Sequence, residues 1–150
     1  MRPFRFRLRK LRDHRERVKR ERQAALARVD AMLEELRARE AAIDEERARR
    51  IERQNLLRRS AVSPASEATF AAYLAHLDVT ARDVRARIGA WEAERDRAVL
   101  ALQEAALDLR VLEKLEERQR AEHEMVENRR DVNELDEIGR DLTRRLEATR

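Results

Sequence analysis

The sequence predicts an all-α chain, an antiparallel two-helix coiled coil (a helical hairpin) whose C-terminal helix is the longer. Three observations carry this reading. Of 150 residues, 35 are basic and 31 acidic, and Ala, Glu, Lys, Leu and Arg together supply about two-thirds of the chain, the compositional mark of a long helix or coiled coil. There are two Gly and two Pro, too little turn chemistry for a sheet and too little glycine for a phosphate-cradling loop. The apolar residues recur at heptad spacing on both sides of a single strong break.

The N-terminus is Arg-rich and free of acids over residues 1–10. No apolar h-region follows, as a secretory signal requires, and no Ser is present, as a mitochondrial presequence would favour. The segment is read as part of the mature protein, with a cytoplasmic location. No apolar run near 18 residues occurs, so no membrane span is expected. With no Cys there is no disulfide frame and no thiolate metal site.

A first helix is expected over about 8–59. Leu8, Val29, Leu36, Ile43 and Leu57 share a heptad position that Arg15, Arg22 and Arg50 interrupt, and Leu11, Val18, Ala25 and Met32 supply the companion position. Leu26 and Leu33 follow as the stripe drifts. The break falls over residues 60–63. Pro64 suits a first helical position, Ser63 is a good N-cap, and Glu67 falls in the first turn beside the positive end of the helix dipole.

The second helix is expected over about 64–147. Steps of four and three from Phe70 through Leu74, Leu77, Ala81, Val84, Ile88 and Trp91 to Leu112 meet one polar residue, Arg95. A short loop makes the helices antiparallel neighbours. With the turn centred at residue 62, residue i faces about 124 − i, so that Leu36 meets Ile88, Ile43 meets Ala81 and Leu33 meets Trp91. The whole chain, 1–150, is expected to be one such hairpin. Residues 124–150 then have no partner within the chain, yet they carry an apolar stripe at Val132, Leu135, Ile138, Leu142 and Leu146. An amphipathic helix with nothing to pack on suggests a partner.

The charge is divided unevenly. Residues 1–22 hold 11 basic groups, Arg2, Arg5, Arg7, Arg9, Lys10, Arg12, Arg15, Arg17, Lys19, Arg20 and Arg22, against Asp13, Glu16 and Glu21. The facing stretch 102–123 is only weakly acidic. A protein partner with an acidic surface is the first reading, pairing within the chain the second. Nucleic acid, or an anionic membrane anchored by Phe4, Phe6 and Leu8, is the third. Catalysis is not expected. His14, His76 and His123 do not converge in the hairpin register, and the carboxylates lie on solvated faces rather than in a cleft that would separate their pKa values. No metal, cofactor or small-molecule substrate is implied. Trp91 is expected to fill the seam, and Tyr73 lies beside it as a contact candidate.

Three stretches together resemble the FliJ family of flagellar type III export proteins. They are the opening Phe4, Phe6, Leu8 and Leu11 set among Arg and Lys, the run Ala71 to Leu77, and Leu112 to Glu124 followed by Asn133 to Ile138. The resemblance implies a hairpin similar to the central stalk of rotary ATPases. It implies a non-enzymatic stalk that inserts in the hexameric export ATPase and promotes ring assembly. Such a stalk would also couple the ring to the cytoplasmic domain of the export gate and handle export chaperones, at the cytoplasmic face of the inner membrane. Carried over residue by residue, it places gate contact at Tyr73 and Leu77, then at Thr80 and Val84, where this chain departs from the small residue and His expected. It places ATPase contact at Arg5, Phe6, Leu8 and Arg9 and at Leu135, Ile138 and Leu142. The rival reading is a basic coiled-coil module binding nucleic acid or anionic membrane through residues 1–22. An injectisome stalk is a third.

Overall fold

The structure, a computed structural model, describes residues 3–60 and 62–148. Arg2 of the basic run and Ala61 of the loop lie outside the described residues, as does the side chain of Leu146 at the end of the apolar stripe. Two helices form, α1 over Arg9–Leu57 with 49 residues and α2 over Pro64–Ala148 with 85. They pack as an all-α hairpin, and no strand occurs among the described residues. Both pairs of boundaries fall within two residues of the positions read from the sequence.

The break forms for the reasons its residues suggest. Pro64 has no N–H to lose at the first helical position. The backbone N–H of Ser66 donates to Ser63 Oγ at 3.2 Å, which satisfies one of the free amides of the new helix. At the end of α1 the amides of Arg59 and Ser60 reach back to the carbonyls of Leu56 and Leu57, and Ser60 Oγ donates to the Leu57 carbonyl as well. No residue with a described backbone needs a positive φ, so this chain turns without a glycine.

The chain groups into two compact units. The first spans residues 21–103 and contains the turn. Its core joins Val29, Leu33 and Leu36 of α1 to Val84 and Ile88 of α2, with Met32, Ile43 and Trp91 packed against them. Leu33 and Val84 are the most completely buried. Burying each such side chain stabilises the unit by about 1.5–3 kcal/mol. This is the facing set expected from the register. Leu77 and Ala81 extend the buried row toward the turn.

Ion pairs flank the seam. Asp30 meets Arg95 at 2.7 Å, Arg37 meets Glu92 at 2.9 Å, Glu40 meets Arg85 at 2.6 Å and Arg47 meets Asp78 at 3.4 Å. Arg95, the polar exception in the heptad count, is thus matched by an acid on the opposite helix. Pairs this exposed contribute about 0–1 kcal/mol each, so they act more on register than on stability.

At the turn, Arg58 Nε and Nη2 donate to the two oxygens of Glu67 at 2.9 and 2.7 Å, and Gln54 Nε2 donates to Glu67 Oε1 at 2.9 Å. The Arg58 hydrogen bonds, then the one from Gln54, hold the Glu67 carboxyl at about 2, far below its usual range. Gln54 is itself buried. Glu67 thus ties the end of α1 to the first turn of α2, a role beyond favouring the helix dipole.

The second unit comprises residues 1–20 and 104–150. Phe6, Ala105, Leu109 and Leu112 are buried in it. Arg12 Nη1 donates to Glu116 Oε2 at 2.5 Å, and Arg15 pairs with Asp108 at 2.9 Å. The hydrogen bonds that Arg12 donates to Asp13, then the one to Glu116, raise its pKa further. The Phe4 ring stands edge-on to His123 with centroids 5.7 Å apart and lies under the Arg120 guanidinium. Glu127, four residues beyond the predicted limit of pairing, is the last buried residue described, and it pairs with Arg130 at 3.0 Å. No described helix is long and apolar enough to cross a membrane.

Candidate functional site

Three surfaces carry the residues that the sequence singles out. In the unit of residues 21–103, Tyr73 lies on the flank of α2 and is half-buried. Its hydroxyl donates to Glu46 Oε1 at 3.2 Å, and the Arg50 guanidinium stacks 4.8 Å from its ring centroid. Arg50 Nε also donates to Glu46 Oε1 at 2.8 Å. That bond, supported by the Tyr73 hydroxyl, lowers the Glu46 pKa, while Glu46 in turn raises that of Arg50. The ring is therefore held in one orientation, which lowers the entropy lost when a partner packs on it. Beside it opens a groove of about 420 Å³ lined by Arg50, Arg53, Leu57, Thr69, Phe70 and Tyr73.

The four positions carried over as gate contacts divide here. Leu77 is 8% and Val84 1% exposed, because both point into the seam. A partner cannot reach them without parting the helices, so neither is an exposed contact residue. Thr80 is half-buried, and its hydroxyl donates to the His76 carbonyl at 2.9 Å. Of the four, Tyr73 and Thr80 keep part of their surface in solvent. The Glu46–Arg50 clamp was missed. Its signal was present, an i,i+4 acid–base pair with Arg50 standing where the heptad wants an apolar residue.

In the other unit, Leu135, Ile138 and Leu142 are 68%, 57% and 55% exposed, and Val132 with them. Met125 and Val126, nearer the paired region, are exposed as well. Solvent-exposed aliphatic side chains repeated over about three helical turns have the pattern of an interaction surface. Gly139 lies in the same stretch, and a Cβ there would meet nothing within 4 Å. At the head of the chain the ATPase candidates also divide. Arg5 and Arg9 are exposed and Leu8 partly so, but Phe6 is buried. Phe4 is occupied by His123 and Arg120, so the two aromatics are not free as a membrane anchor.

Among the described residues no three His, Asp or Glu side chains gather into a possible metal site. The profile of the family described as "Flagellar FliJ protein" matches residues 4–147. No curated protein and no solved structure matches the chain.

Proposed function

The chain belongs to the FliJ family, a non-catalytic component of flagellar protein export, and from that premise we propose that it is the central stalk of the export ATPase. In this role the C-terminal part of α2 and the basic head enter the hexameric ring, promote its assembly and couple it to the export gate. The observation that supports this most is the exposed stripe of Val132, Leu135, Ile138 and Leu142. Four aliphatic side chains on one face, left in water, lose about 1 kcal/mol or more each of available burial. An apolar lining inside another protein would recover it.

The charge agrees with this direction. Arg5 and Arg9 stand exposed at the head and suit an acidic rim, where charge complementarity would speed association. Gate contact is assigned to Tyr73, held by Glu46 and Arg50, with Thr80 beside it. Export chaperones would be handled by the same protein, at the cytoplasmic face of the inner membrane.

The test is addition of the full chain to the flagellar export ATPase, with hexamer formation and hydrolysis as readouts. Stimulation at micromolar chain is expected, and its absence would sink the stalk reading. For the gate, Tyr73→Ala should weaken binding to the gate's cytoplasmic domain while the chain keeps its helicity. Unchanged affinity would reject Tyr73 as the contact.

A further inference from the structure

We propose that, in a chain not seated in the ATPase ring, a stripe formed by Arg7 just ahead of α1 and by Lys10, Leu11, His14 and Arg17 on it binds an anionic phospholipid surface. Lys10, Leu11, His14 and Arg17 recur at helical spacing and share one side of α1, with Arg7 in the turn that leads into it. The face differs from that of the seam and belongs wholly to the unit formed by residues 1–20 and 104–150.

The stripe is charged and unneutralised. Arg7, Lys10 and Arg17 are exposed and, among the described residues, have no ion pair or side-chain hydrogen bond. The acids of this stretch are committed elsewhere. Asp13 pairs with Arg9 and Arg12, and Glu16 with Arg20. Glu116 pairs with Arg12, and Glu113 and Glu117 line the same hollow as Arg12 and Glu16; those two residues lie roughly across the helix from the stripe. Asp13 borders the face, three residues after Lys10 and four before Arg17, but is held by Arg9 and Arg12, and the next acid on this side is Glu21.

The apolar content decides between partners. A tight protein interface is built on aromatic anchors seated in pockets. Here Phe6 is buried, and Phe4 is packed against His123 and under Arg120. What remains outside is cationic, with Leu11 42% exposed in the middle of the stripe and Leu8 39% exposed at its start. Long cationic side chains around a shallow leucine match a helix lying in the headgroup region, where the ammonium and guanidinium groups meet phosphate and the leucine dips toward the acyl chains. Unpaired cations without a fixed geometry also suit mobile headgroups, which rearrange to meet them. A nucleic acid would reward the cations but not a leucine at the centre.

The experiment is co-sedimentation of the full chain with vesicles of phosphatidylcholine alone, or with one part phosphatidylglycerol to three of phosphatidylcholine. Binding is expected to the anionic vesicles only, and to weaken as salt rises. The triple variant Arg7→Ala, Lys10→Ala, Arg17→Ala should lower that binding on the order of a hundredfold. A control with equal charge loss, Arg39→Ala, Arg59→Ala, Arg87→Ala, removes exposed cations elsewhere and should bind nearly as the parent does. Leu11→Gln should cost about fivefold on vesicles and nothing on a DNA duplex. All variants change exposed side chains, and circular dichroism checks that their helicity is retained. The proposal is overturned by absence of binding to anionic vesicles or by equal loss in the two triple variants. Tighter binding to the duplex that ignores Leu11→Gln would overturn it too and assign the stripe to nucleic acid.

Discussion

Leu33→Ala and Leu135→Ala are the same chemical change made in two environments, and the structure assigns them opposite consequences. Leu33 is 2% exposed and packs with Val29, Leu36, Val84 and Ile88. Truncation removes three carbon groups from the seam, a transfer loss of about 2.4 kcal/mol at ~0.8 kcal/mol each. A cavity term adds to this, but a seam only two helices thick can partly close over the gap, so the total stays near 3 kcal/mol, the low end for buried leucines. Leu135 is 68% exposed, and its truncation should change stability by less than about 0.5 kcal/mol. Melts of the full chain followed by circular dichroism should show the midpoint falling by roughly 6–12 °C for Leu33→Ala. For Leu135→Ala the midpoint should scarcely move. Binding to the export ATPase should reverse the order, with Leu135→Ala the more harmful. A shift below about 3 °C for Leu33→Ala, or a comparable one for Leu135→Ala, would refute the division between seam and spare stripe.

Three further outcomes follow from the same geometry. Gly89→Ala should raise stability by about 0.5–1 kcal/mol, since a Cβ there meets nothing within 4 Å and glycine is costly inside a helix; a loss measured by urea titration would contradict this. Ser63→Ala should cost about 1 kcal/mol by removing the acceptor for the Ser66 amide, and an unchanged urea midpoint would mean that water replaces the cap. Glu67 has a folded pKa of about 2 against an ordinary 4.5. A depressed carboxyl pKa stabilises above the unfolded value and loses that contribution as pH falls toward the folded one. Acid melts of Glu67→Gln should therefore lose less stability between pH 4.5 and 2 than those of the parent chain, and parallel curves would show that the Arg58 and Gln54 contacts with Glu67 are broken in solution.

Helix boundaries were legible because few residue types can end a helix. Ser63 and Pro64 mark the only break where capping and lost N–H agree, and the structure breaks there. The pairing was legible because the apolar period leaves little choice of register, and Leu33, Leu36, Val84 and Ile88 meet as counted. Flank chemistry was not. Heptad arithmetic ranks positions by distance from the seam but does not say which long side chain reaches which. Asp30 answering Arg95, Glu46 and Arg50 clamping Tyr73, and Gln54 buried against Glu67 all depend on rotamers of long side chains. The same limit misplaced the candidate site. Leu77 and Val84 belong to the seam by period and were also carried over as exposed contacts, and the packing allows only the first role. Phe6 similarly turns inward, since a short segment ahead of α1 can fold its ring onto the unit and withdraw it from water.

The stalk account is tested most directly by titrating the flagellar export ATPase with two chains, the full one and one lacking residues 128–150, while following hexamer formation. The deletion begins just past Glu127, the last buried residue described, so the shortened chain should melt close to the full one. The account predicts that the full chain drives hexamer formation at micromolar concentration and that the shortened chain does not. Equal promotion of the hexamer by both chains would contradict it.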